Sequence, residues 1–526
     1  MRRVHDLSWL AGALLVTVAL RFLVARGHAV ELADAEEFLN LRLARQVLAG
    51  LPVRDLHSFW FSAGPGPNGG PLATSVMAVP FVAVLGPGTA ALRLMATLWA
   101  IAAALLVGAT VARLSRSSSC LPGVAATLVL PPAWAVFSST SKGNHVEGAI
   151  LALACCLALL RFLDQPMRRR AATLALCSCF SAWYADVAVL PALLALLVGL
   201  WRRRDPWLVA GLLAAGALLT TGRSGGPVAD VLGFAPDGIR WLRYEPGRLF
   251  DLLRLSYLDV PGFDTLLLGP GAHLGPDWQA AQRVLNGIHW SVTAWAVSWL
   301  HRRSQHGIRG VAPLLVTAML LPVAFALLGV GPDSIDGLGV ARTYFWEPRR
   351  LAIVHLLWAV AYGVLLASAT TAGGWRRALW LLPLGGVALS LVFLLPAEAA
   401  PPEFHPEAYM LCPAAEPEQE LDVCVPRLLP GDPESLQVLL AEPEIAGAPA
   451  ARAALEGWAS VEGAADSCRL LERDLPEPSI RSSEPYWHGV AAAGRRRCAG
   501  EASSRLCLEA PSGPLRALCL RSQVLR

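Results

Sequence analysis

Long apolar runs separated by short basic or polar stretches fill the chain up to about residue 396, and the remainder loses them. A helix rises 1.5 Å per residue, so about 20 apolar residues cross the hydrocarbon core of a bilayer. Runs of that character lie near 7–25, 90–112, 120–137, 147–163, 171–185, 187–201, 206–222, 285–300, 311–330, 351–369 and 378–395. They predict an all-α polytopic membrane protein of about eleven transmembrane helices. A further run, Pro71 to Leu85, is short and interrupted by Pro80 and Gly86-Pro87. The first run follows Met1-Arg2-Arg3, and no small-x-small cleavage pattern comes after it, because the next residues are Ala25-Arg26-Gly27-His28. It reads as a retained signal anchor.

Composition agrees with a lipid solvent. The 526 residues are 55% hydrophobic and 16% charged, with mean hydropathy +0.48, which excludes an ordinary soluble protein of this length. The formal charge of +4 rests on arginine, since Lys142 is the single lysine. This balance carries no nucleic-acid signature.

Arginine placement decides the status of 71–85. If that run crossed the bilayer, Arg113/Arg116, Arg168-Arg169-Arg170 and Arg202-Arg203-Arg204 would face outward, against the positive-inside bias of short loops. If it lies in the interface, they face inward with Arg2/Arg3, Arg302/Arg303/Arg309 and Arg376/Arg377. The outer segments are then 26–89, 138–146, a turn at 185–186, 223–284, 331–350 and the tail. Polar chemistry collects on that face, which is therefore the expected working surface. No repeat or matching pair of interrupted helices is visible, and ionisable groups within the runs are scarce. Both features weigh against a transporter.

The first outer loop opens Glu31-Leu32-Ala33-Asp34-Ala35-Glu36-Glu37-Phe38-Leu39-Asn40, and apolar residues at 39, 43, 47 and 48 follow at helical spacing. Asp34 suits an N-cap with Glu37 as its capping-box partner, and the same acids suit a general base. A second cluster is Ser138-Ser139-Thr140-Ser141-Lys142-Gly143-Asn144-His145-Val146-Glu147. It fits either a phosphate or sugar contact or a polar turn. Asp186, directly after the helical run ending near Tyr184, fits a site or a cap equally. In Arg342-Thr343-Tyr344-Phe345-Trp346-Glu347-Pro348-Arg349-Arg350-Leu351, three arginines sit in a short outer loop. A bound phosphate would justify them through bidentate pairing, and headgroup snorkelling is the competing explanation. The pairs His145 with Glu147 and Asp34 with Glu36 offer ligands to a divalent cation, but too few to hold one alone.

The order of features over residues 1–116 resembles bacterial members of the membrane glycosyltransferase superfamily with the GT-C fold, among them protein O-mannosyltransferases and aminoarabinose transferases. An anchor helix leads to acids near Phe38-Leu39, then Leu48-Ala49-Gly50, a Gly64-Pro65-Gly66-Pro67 turn, an interfacial run ending at Gly86, and Ala91-Leu92-Arg93-Leu94. The resemblance implies transfer of a sugar from a polyprenyl-phosphate donor to an envelope glycan, lipid or protein acceptor on the outer face of a bacterial inner membrane. It implies a catalytic base at Asp34, with Glu36 or Glu37 as alternatives because the family's adjacent Asp-Glu pair is absent. A second stretch, Arg342-Thr343-Tyr344 to Pro348-Arg349-Arg350, is similar to the Arg-Tyr…Pro entry to a late span of these enzymes; it implies that Arg342, Tyr344, Arg349 and Arg350 hold the donor phosphate, a contact that Lys142 and His145 suit by residue type. A multi-spanning transporter or flippase of envelope lipids, or an inactive scaffold presenting the tail, remain alternatives.

The tail, 397–526, carries Cys412, Cys424, Cys468, Cys498, Cys507 and Cys519, while Cys120, Cys155, Cys156, Cys177 and Cys179 lie in or beside the spans. An even set in an oxidising compartment predicts disulfides in a small α-rich extracytoplasmic domain. Its cysteine spacing matches no zinc motif.

Overall fold

The computed structural model describes residues 2–27, 44, 47–48, 70–86, 89–139, 145–220, 253–258, 260, 276–328, 351–370, 374–394, and positions 486, 487, 490 and 510. The chain divides into two units, Met1–Leu32 with Asn40–Ala400, and Ala33–Leu39 with Pro401–Arg526. In the second unit, the buried rings of Tyr486 and Trp487 meet edge-on at 5.5 Å.

The described residues of the first unit form helices joined by short turns, with no strand among them. Its elements are α1 (Arg2–Gly27), α2 (Gly70–Leu85), α3 (Thr89–Ser115), α4 (Leu121–Ala126), α5 (Pro132–Phe137), α6 (His145–Asp164), α7 (Arg168–Tyr184), α8 (Asp186–Arg202) and α9 (Pro206–Thr220). A π-helical turn (Arg254–Leu258), α10 (Pro276–Arg303), α11 (Gln305–Leu328), α12 (Ala352–Thr370), a 3-10 stretch (Gly374–Leu381) and α13 (Leu382–Leu394) follow. Among the described residues, five helical stretches are long and apolar enough to cross a membrane: Asp6–Val24, Ala90–Ser115, His145–Asp164, His306–Val323 and Ala352–Thr370. Large apolar side chains also cover the outside, with Leu15 of α1, Leu176 of α7 and Leu213 of α9 each 69–70% exposed. Water would penalise such a surface, and lipid does not.

Turn chemistry explains the helix ends. Gly86 takes a left-handed conformation (φ 84°), and its N–H returns to the Val82 carbonyl at 3.0 Å, which stops α2. Arg116 does the same work after α3 at φ 55°, a conformation that side chains resist, while the Ser117 N–H closes back on Ala112 at 2.9 Å. Asp205 caps α9, because its carboxylate accepts from the Trp207 N–H at 3.1 Å. One extended residue, Ala185, joins α7 to α8.

The run 120–137 is not the single continuous helix that its hydropathy predicts. It forms α4 and α5, with Thr127 to Pro131 between them outside any helix. Pro131 is extended (φ −61°, ψ 159°), the conformation that Pro132 favours in the residue before it. Protein covers the nonhelical stretch: Thr127, Leu128 and Leu130 are buried, as are Ala133, Trp134 and Phe137 of α5. A side chain at Gly386 of α13 would collide with the Leu128 carbonyl in this break. At the crossing of α3, α4 and α12 the helices touch through Gly108, Gly123 and Gly363.

Candidate functional site

Hydrogen bonds and close approaches sort the first unit into two ends. At one end Arg113 of α3 pairs with Asp164 of α6 at 2.6 Å. Nearby, Arg170 donates to the Arg161 carbonyl at 2.6 Å and Arg203 to the Pro166 carbonyl at 2.5 Å. Arg309 lies 4.8 Å over the Trp201 ring. These arginines are tied to helix ends and to the turn at Pro166.

The start of α6 and the finish of α7 lie at the opposite end. His145 and Glu147 are buried there in the first turn of α6, where Gly148 leaves room for Ala185. The Tyr184 hydroxyl shares a hydrogen bond of 2.6 Å with Thr74 of α2. Trp99 of α3 stands 6.5 Å from the Tyr184 ring, centroid to centroid. From Thr74, α2 runs back along the first turns of α3, packing Ala78 and Val82 against Ala91, Leu92 and Met95.

Arg21 of α1 reaches this side of the bundle too. It is 4% exposed, and its Nη2 donates to Ser138 Oγ at 2.6 Å, just past the finish of α5. Its Nη1 donates to the Thr17 carbonyl at 2.8 Å. The Ser138 hydroxyl donates in turn to the Trp134 carbonyl at 2.6 Å, and Ser139 likewise donates to the Ala135 carbonyl. The result is a buried polar layer of Arg21, Ser138, Ser139, His145, Glu147, Thr74 and Tyr184. It can bind an anion through Arg21 and exchange hydrogen bonds with hydroxyl groups.

Of the residues expected to form a donor-phosphate site, His145 is described and is buried in this layer. Asp34, Glu36, Glu37, Lys142, Arg342, Tyr344, Arg349 and Arg350 lie outside the described residues, as do the six tail cysteines. Asp186 is the first residue of α8, with Ala185 in the cap position before it. Among the described residues no three His, Cys, Asp or Glu side chains gather as a metal site.

Sequence reasoning missed two features. One is Arg21, whose signal is a single arginine inside the apolar run 7–25. The other is a buried aromatic cluster between α10 and α12. His289 stacks on Trp358 at 4.5 Å, and its Nδ1 lies 3.0 Å from the Tyr362 hydroxyl. His355 meets Trp358 edge-on at 5.3 Å. One turn before His289, Asn286 donates to the Leu258 and Val260 carbonyls at 2.8 and 2.6 Å, and so ties the π-helical turn to α10. Tyr257 in that turn donates to the Met319 carbonyl at 2.8 Å, and burial raises its phenol above the ordinary pKa. His289 Nε2, Trp358 Nε1 and Asn286 Oδ1 have no hydrogen-bond partner among the described residues.

No protein-family model matches the chain, and no curated protein matches it.

Proposed function

We propose that the chain is a membrane glycosyltransferase that moves a sugar from a polyprenyl-phosphate donor to an envelope acceptor on the outer face of a bacterial inner membrane. The observation that carries this reading is the buried polar layer at one end of the helices, opposite the arginine anchors. Under the positive-inside rule the arginines face the cytoplasm, so the polar layer faces outward, where lipid-linked sugar donors are consumed. In this reading eleven segments cross the membrane, one of them broken at Thr127–Pro131. The run 71–85 doubles back along α3 without crossing. The same orientation places the tail cysteines in an oxidising compartment, and peptide mapping without reduction would find them paired.

The chemistry needs a base for the acceptor hydroxyl and cations for the departing phosphate. The resemblance over residues 1–116 assigns the base to Asp34, with Glu36 and Glu37 beside it in sequence. The similarity of 342–351 to a late-span entry of the same enzymes assigns the phosphate to Arg342, Tyr344, Arg349 and Arg350, and the residue types at Lys142 and His145 add them to it. The test is transfer from a polyprenyl-phosphate sugar by purified Asp34→Asn, Glu36→Gln and Glu37→Gln proteins. Asn keeps the N-cap shape and cannot take a proton, so Asp34→Asn should lose about two to four orders of magnitude in rate. Full activity in all three folded variants would contradict the reading.

The aromatic cluster favours a second reading, transport of an envelope lipid. Ionisable groups inside spans mark substrate or proton pathways, and interrupted helices mark transporter sites. His289 and the break in 120–137 supply one of each. Lipid flux in proteoliposomes that stops in His289→Phe, without sugar transfer in the wild type, would decide for it.

A further inference from the structure

We infer that Arg21, oriented by Ser138, forms a binding site for the phosphate of a membrane lipid. A guanidinium stays charged at any working pH, and a buried charge needs a counter-charge. Both partners of Arg21 are neutral: the Thr17 carbonyl of its own helix at 2.8 Å and Ser138 Oγ at 2.6 Å. Its Nε has no partner among the described residues. At 4% exposure, Arg21 does not reach out to water as a snorkelling arginine does. It also lies six residues before the last residue of α1, too far for the helix terminus to compensate it.

The two bonds point to the ligand's shape. They fix the plane of the guanidinium and leave Nε–H and the second proton of each terminal nitrogen. A phosphate takes such donors in pairs, through two oxygens. Ser138 is held in turn by the Trp134 carbonyl, so its hydroxyl proton is committed and its oxygen faces the arginine. The neighbouring residue on α1, Phe22, is 63% exposed, and Leu15 further along is 69% exposed. An apolar chain can lie along that surface while its headgroup turns inward to Arg21. That juxtaposition favours a lipid phosphate over a free one. The identification of that lipid with the polyprenyl donor rests on the transferase reading; the anion site does not.

The experiment measures binding of polyprenyl monophosphate, polyprenol, phosphatidylglycerol and inorganic phosphate to the full-length protein in detergent, each alone and in competition. The wild type should bind polyprenyl monophosphate at least about tenfold more tightly than polyprenol, the strength expected of charge-assisted hydrogen bonds. Arg21→Gln should lose that preference, Arg21→Lys should keep part of it, and Ser138→Ala should weaken it severalfold with the fold intact. Equal binding of monophosphate and polyprenol by the wild type would overturn the site, and that comparison needs no variant to fold. An undiminished preference in folded Arg21→Gln would overturn it also. Phosphatidylglycerol displacing the monophosphate at equal affinity would support the site and assign it to bulk lipid. Sugar transfer with Arg21→Gln binding unchanged would refute the site and leave the transferase reading standing. Tight binding without any transfer would do the reverse.

Discussion

The two ends of the helical unit use charge in opposite ways. At the arginine end, Arg113 and Asp164 form their pair with both side chains more than a third exposed, and Arg170 and Arg203 reach backbone carbonyls from solvent-facing positions. Such contacts hold turns together and contribute little stability singly. At the other end, Arg21, His145 and Glu147 are buried, where each charge or polar group must be matched. On the proposed reading, charge kept at the surface anchors the bundle in a membrane and charge taken out of water serves a ligand or a reaction. Asp205, buried at the arginine end, is committed to capping α9.

The comparison depends on the packing between the ends, and removing that packing should have the largest effect. A side chain at Gly123 would meet Gly108 Cα at 2.6 Å and the Val107 carbonyl at 2.7 Å, both backbone atoms that cannot turn aside. Gly123→Val should cost about 3 kcal/mol or more and lower the yield of folded protein. Gly12→Val, where an added Cβ meets nothing within 4 Å among the described residues, is the control and should stay close to wild type in the same thermal melt.

Within the polar end, Tyr184→Phe removes the 2.6 Å bond to Thr74 and leaves a buried hydroxyl without its partner. The expected cost is about 1–2 kcal/mol. Thr74→Val alone should cost a similar amount, and the double variant should cost less than the sum of the two. Strict additivity in that cycle would mean the pair is not coupled.

Much of this organisation was legible in the sequence because apolar run length and arginine parity are both local signals. The runs 7–25, 147–163 and 351–369 appear as α1, α6 and α12, and Arg113, Arg170, Arg203 and Arg309, from four of the arginine clusters expected to share a side, contact one end of the described helices. The break in 120–137 was hidden by hydropathy, which averages over Pro131-Pro132, although that dipeptide is itself the physical cause. Arg21, His289 and His355 were passed over for a related reason. One polar residue barely lowers the mean of an apolar window, and its partners, Ser138, Tyr362 and Trp358, are distant in sequence. His145 was found because its neighbours in sequence are polar too.

The smallest effect belongs to the arginine end. Arg113→Ala breaks a pair whose side chains are 38% and 39% exposed, and it should change stability by no more than about 1 kcal/mol. Salt should shrink that difference further, since exposed charges are screened. A loss of several kcal/mol would show that the arginine end is a buried network and erase the contrast.

The contrast rests on which end faces the cytoplasm, and side-specific labelling measures this directly. Arg204→Cys, beside the turn where Arg203 reaches Pro166, is treated in intact cells with a membrane-impermeant maleimide, and labelled peptides are mapped. Residue 204 should stay unlabelled until the membrane is permeabilised, because arginine-rich short loops are retained inside. Labelling of residue 204 in intact cells would place the arginine end outside and contradict the account.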